Sequence, residues 1–104
     1  VKKGRLQEAQ DHFLEALRIE PTFWKAHQNA GAVHLIRGDH DQAIAHFSQA
    51  LQGLPNSVRL HNNLGRTYER MGKTHEAAAH FHKALSIDSA NMTARTHLKS
   101  LGVK

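Results

Sequence analysis

Ten histidines in 104 residues raise metal chemistry first. A zinc site on a helix needs ligands three or four residues apart, so that two imidazoles share one face. No two histidines in this chain have either spacing. His27 and His34 are seven apart, as are His75 and His82. That places each pair about 10 Å apart along a helix, a gap that Zn–N bonds of ~2.0–2.1 Å do not bridge. His12, His46 and His80 recur at a fixed interval, which keeps them on successive structural units. His27, His34 and His61 are expected to serve in packing or hydrogen bonding, and no metal or cofactor is expected. Catalysis has no better footing. Asp39, His40 and Asp41 are adjacent at a helix start, where acidic side chains favour the dipole. Ser48, Ser57 and Ser86 stand in no nucleophile motif. The chain is not expected to be an enzyme.

Binding chemistry is better represented. At ~100° per residue, the stretch 58–71 puts His61, Leu64, Gly65 and Tyr68 on one side of a helix. Arg59, Asn62, Asn63, Arg66 and Arg70 fall on the other. The stretch 24–37 repeats the division: Lys25, Gln28, Asn29, Ala32 and Ile36 lie opposite His27, Ala30, Gly31 and His34. A side-chain amide is both donor and acceptor. A guanidinium binds carboxylate in a bidentate fork. Ala32, Leu35 and Ile36 add an apolar patch. These residue types suit an acidic ligand with at least one apolar side chain. The candidate contacts are Lys25, Asn29, Arg59, Asn62, Asn63, Arg66 and Arg70.

The elements that position these residues are helices. Apolar residues at Leu6, Ala9, Phe13, Ala16 and Leu17 have helical spacing, and Pro21 ends that segment. Further helices are expected over about 23–37, 39–53, 58–71, 74–87 and 92–101. Gly38 and Gly72 are the expected C-terminal stops, and Pro55-Asn56 breaks the chain. Asp39 with Gln42 three residues on resembles a capping box. No stretch alternates with period two for long enough to form a strand. The fold class is all-α, with short connections that make neighbouring helices antiparallel.

Two of these segments are copies. Gly38, Ala43, His46, Phe47, Ala50 and Leu51 recur as Gly72, Ala77, His80, Phe81, Ala84 and Leu85, 34 residues later. An upstream copy carries Gly4, Ala9, His12, Phe13, Ala16 and Leu17. The full unit reads His27, Ala30-Gly31, His34, Ala43, Phe47 and Pro55, then His61, Leu64-Gly65, Tyr68, Ala77, Phe81 and Ser89. This resembles the tetratricopeptide repeat family, whose pattern is W-x2-L-G-x2-Y, A-x3-F and P. His27 and His61 stand at the usual Trp position, His34 at the usual Tyr and Ser89 at the usual Pro. The resemblance implies a right-handed α-solenoid of helix-turn-helix repeats. Residues 1–23 would supply the second helix of an incomplete repeat, 24–57 and 58–91 two full repeats, and 92–104 a capping helix or truncated repeat. It also implies that the leading helices line a concave groove for extended peptides, with Asn29 and Asn63 at positions that bind peptide backbone. In the carboxylate-clamp members, the basic pair would fall on Arg59 and Asn63, which leaves one cation missing here. Phe47 and Phe81 are expected to fill the space between successive helix pairs.

Charge is uneven. The net +5 lies wholly in residues 58–104, which carry eight basic and three acidic side chains, while residues 1–57 balance at six of each. Such a field attracts acidic partners. Nucleic acid is not the expected partner, because aromatics for stacking are nearly absent from the stripe. Cysteine is absent, which excludes disulfide and thiolate chemistry without choosing a compartment. No apolar run reaches the ~18 residues of a membrane span, and no signal-peptide pattern appears in these residues. The start at Val1 suggests a piece of a longer product. The expected function is a protein–protein interaction module. The alternative is a scaffold that self-associates through the incomplete first repeat, around Leu6 and Phe13.

Overall fold

A computed structural model describes residues 24–102. Leu6 and Phe13, and with them the surface invoked for self-association, lie outside the described residues. All regular elements described are helices: α1 (Trp24–Arg37), α2 (His40–Gly53), α3 (Val58–Arg70), α4 (Thr74–Ile87) and α5 (Met92–Ser100). They fall into two compact units divided between Pro55 and Asn56. In the first, α1 packs on α2; in the second, α3, α4 and α5 all touch one another.

Each hairpin is made by a glycine. Gly38 and Gly72 take φ of +84° and +78°, a left-handed conformation that costs a side chain energy and glycine little. The turn folds back on the helix end. Asp39 N donates to His34 O at 2.8 Å, and Lys73 N donates to Tyr68 O at 2.9 Å. These bonds satisfy carbonyls that the helix end leaves open.

The expected capping box at Asp39 is not formed. Asp39 is the N-cap residue of α2, but its side chain makes no capping hydrogen bond. Its Oδ2 instead lies 3.4 Å from His34 Nδ1 and 3.9 Å from Arg37 Nε, both on α1. Two cationic or polar nitrogens across the turn outcompete one backbone amide for that carboxylate. Side-chain caps occur where the chain leaves an extended residue before a helix. Ser57 Oγ accepts from Leu60 N at 3.1 Å and Asn91 Oδ1 accepts from Ala94 N at 2.9 Å.

The hairpins close around a phenylalanine. Phe47 and Phe81 are fully buried. A Cβ built on Gly31 would meet the Phe47 ring at 2.6 Å, and one on Gly65 would meet the Phe81 ring at 2.7 Å. Each ring therefore fills the notch its own pair's glycine leaves, a contact within the pair. Ala77, Ala84, Ala94 and Leu98 complete the buried cluster around Phe81, so α5 covers apolar surface of α4.

A second ring contact accompanies each phenylalanine. His27 Nδ1 of α1 is 3.2 Å from His46 Nδ1 of α2, and His34 stacks on His46 with centroids 5.3 Å apart and planes inclined by 8°. In the second unit, His61 Nδ1 is 3.2 Å from His80 Nδ1, and Tyr68 stacks on His80 at 5.6 Å and 7°. The three positions are equivalent in the 34-residue register.

Candidate functional site

Helix α3 shows why side-chain chemistry alone misjudges a face. Among the candidate residues on it, Arg59 and Arg70 are exposed, and Asn63 and Arg66 are half-buried along the same line. Asn62 is not with them. It is 8 % exposed, and its Nδ2 donates to Asn91 Oδ1 at 3.0 Å. The expected peptide contact at Asn62 is thus corrected to a tie between α3 and the cap of α5. The physical reason is that α3 packs against two helices, α4 and α5. Its covered arc is wider than a single partner would make it, and residue 62 falls inside. Gln28, its equivalent on α1, is likewise buried.

The tie has a measurable weight. Asn62→Ala removes one buried hydrogen bond and is expected to cost about 1 kcal/mol. Asn63→Ala, one residue away, is expected to stay within about 0.5 kcal/mol of wild type. Urea unfolding of both variants checks the contrast, and equal values would contradict the placement of Asn62.

Between α3 and α5 the second unit opens a cleft of about 570 Å³, lined by Arg66, Glu69 and Arg70 of α3 and Thr93 and His97 of α5. Glu69 Oε1 lies 2.7 Å from His97 Nδ1 across the cleft. The His97 ring stacks on Phe81 with centroids 4.9 Å apart. His97 is thus fixed at both a polar and an apolar contact, and its bond occupies one oxygen of Glu69. Arg66 and Arg70 against Glu69 give the lining a positive balance, which favours an anion. Thr67, fully buried beneath, donates its hydroxyl to Asn63 O at 2.7 Å.

Helix α1 presents the equivalent line in the first unit. Lys25 and Asn29 are exposed, matching Arg59 and Asn63. Farther along, the chemistry changes. Ala32 and Ile36 stand where Arg66 and Arg70 stand in α3, and Ile36 is 64 % exposed. The amide and the first cation recur, while the distal half is apolar in one repeat and basic in the next.

Glu69, Thr93 and His97 were absent from the sequence-derived site. The signal for His97 was its place three residues before Ser100 on a helix with Ala94 and Leu98 inward. That places it beside α3 only once α5 is known to pack back. Among the described residues, no group of three or more His, Asp or Glu side chains is arranged to hold a metal ion. No described helix is long and apolar enough to cross a membrane.

Duplicated helical hairpins in a 34-residue register, each with a cation and an amide four residues apart on its leading helix, define an all-α helical-repeat protein. The family model for the tetratricopeptide repeat matches residues 22–90. The chain belongs to the tetratricopeptide repeat family. Its structure is similar to the TPR domain of Arabidopsis OM64, with 25% sequence identity and a TM-score of 0.91 over 97% of this chain and 84% of that one. It is similar to the second TPR domain of human RPAP3, solved in complex with the HSP70 peptide SGPTIEEVD. There identity is 19% and the TM-score 0.89, over 99% of this chain and 86% of that one. A thermophilic TPR protein of Thermus thermophilus, TTC0263, shares 30% identity with a TM-score of 0.83, over 95% of this chain and 50% of that one. No curated protein sequence matches the chain.

Proposed function

We propose that this protein is an interaction module that binds an extended, acidic peptide segment on the outward face of α3, beside the α3–α5 cleft. The observation that carries this reading is the line of Asn63, Arg66 and Arg70 beside the α3–α5 cleft. The roles follow from chemistry. Asn63 offers a donor and an acceptor to a peptide unit without regard to its side chain. Arg66 and Arg70 receive carboxylates in charge-assisted bonds. Arg59 adds long-range attraction at the helix start. Lys25 and Asn29 repeat the polar half of this arrangement on α1 of the first unit. The RPAP3 domain in complex with the HSP70 peptide SGPTIEEVD supports the reading, since that peptide carries three acidic residues near its end. Asn62 is left out of the binding set because its amide is engaged inside the fold.

Fluorescence anisotropy with a labelled acidic peptide, and with a copy carrying Asn and Gln for Asp and Glu, tests the proposal. Wild type is expected to bind the acidic peptide and to lose the preference at high salt. Arg66→Ala is expected to weaken binding about tenfold or more, the range of a hydrogen bond to a charged group. Equal affinity for both peptides, or no effect of Arg66→Ala, would refute it.

A further inference from the structure

The α3–α5 cleft sets Arg66 and Glu69 three residues apart on one helix. Side chains at that spacing are neighbours, and opposite charges there attract. Here the two do not pair. Glu69 Oε1 is bonded to His97 Nδ1 at 2.7 Å. Among the described residues, half-buried Arg66 has no ion-pair or hydrogen-bond partner. We infer that His97 is a positioning residue for the anion site: by holding Glu69 toward α5, it keeps that carboxylate from closing on Arg66 and leaves the guanidinium to the ligand. This role rests on the acidic-peptide reading above and adds to it the group that prepares the site.

The chemistry favours the diversion. A carboxylate only accepts, so His97 Nδ1 donates to Glu69. Arginine N-terminal to glutamate is the weaker order of a helical ion pair, so one short bond from α5 competes well against it. His97 is itself anchored. Its ring stacks on Phe81 with planes inclined by 14°, and Leu98 beside it is buried. The imidazole therefore stays in place and the carboxylate comes to it.

The repeat register agrees. Continued for one more period, it puts His97 where Asn29 and Asn63 stand on the leading helices. On α3 that position carries an amide, and on α5 it carries a ring that reaches back to α3. The first unit has no use for such a device, because Ala32 and Leu35 stand where Arg66 and Glu69 stand in α3. The cation and the carboxylate that would quench it are absent from α1 together.

A histidine that only packed α5 in place would behave differently. Its loss would weaken binding whether or not residue 69 carried a charge. A positioning histidine matters only while residue 69 is a carboxylate.

The experiment uses the full chain with His97→Phe, Glu69→Gln and the double variant, each titrated with the labelled acidic peptide by fluorescence anisotropy. Phenylalanine keeps an aromatic ring for Phe81 and removes the bond to Glu69. Glu69 is only 25 % exposed, so the effect belongs at the upper end for a partly exposed ion pair. His97→Phe is expected to weaken binding about fivefold. In the Glu69→Gln background the same substitution is expected to change affinity by less than about twofold. Equal losses in the two backgrounds would overturn the inference, as would unchanged or tighter binding by His97→Phe alone. The ligand-free protein gives a second readout. The Arg66 Nε–H NMR signal is expected to shift in His97→Phe, as the guanidinium meets Glu69, and not to shift when His97→Phe is added to Glu69→Gln. An Arg66 signal that His97→Phe leaves unmoved would also overturn the inference. This readout needs no peptide. It decides whether His97 holds Glu69 from Arg66 even where wild type fails to bind, a result that sinks the acidic-peptide reading instead. Circular dichroism identifies a variant that does not fold. His97→Leu, which also lacks the bond, then takes the place of His97→Phe with the same expectations.

Discussion

Phe81→Ala is expected to lower stability by about 3–5 kcal/mol, the range for emptying a buried aromatic site. The ring is fully buried and sits at the meeting point of all three helices in its unit. It fills the notch over Gly65, belongs to the cluster that α5 completes with Ala94 and Leu98, and carries His97 on its face. Its loss therefore removes packing for α5 as well as for the hairpin. Chemical denaturation with far-UV circular dichroism measures it. A cost below about 1 kcal/mol would contradict the central position of this ring.

Gly65→Ala is the second large effect, and it has the opposite physical origin. The added methyl would stand 2.7 Å from the Phe81 ring. Ordinary carbon contacts lie near 3.5–4.0 Å, and the ring cannot retreat because its other side is packed. Overfilling of this kind costs about 1–3 kcal/mol, even though alanine is a better helix former than glycine. A double-mutant cycle makes the cause testable. Phe81→Leu shortens the opposing side chain, so Gly65→Ala should cost less in that background than in wild type. Additive effects of the two changes would locate the strain elsewhere.

Much of this architecture could be read directly from the sequence because its signals are local or periodic. Thr74 and Ile87 bound α4 as expected, and Gly38 and Gly72 stop their helices through backbone chemistry that glycine alone satisfies cheaply. The 34-residue recurrence of small and large residues identified the family because packing imposes it at each copy. Legibility failed where a side chain had competing partners. Asp39 has the sequence of a cap, yet His34 and Arg37 are nearer its carboxylate in three dimensions. Asn62 has the polarity of a surface residue, yet the return of α5 buries it. The histidine pairs lie 19 residues apart in sequence, a separation that no single-helix rule tests. Their equivalence became readable only once α1 and α2, and α3 and α4, were seen to place those offsets side by side.

Asn91 Oδ1 accepts two hydrogen bonds, one from Ala94 N at the start of α5 and one from Asn62 Nδ2 in the body of α3. Local helix initiation and long-range docking thus draw on the same acceptor. A change that frays the first turn of α5 also loosens its grip on α3, and the cleft wall formed by Thr93 and His97 goes with it. A ligand bound in that cleft, as proposed, would rest against a wall whose order depends on this one acceptor. Ligand and α5 should order each other, so that hydrogen exchange in 92–100 slows when the cleft is filled.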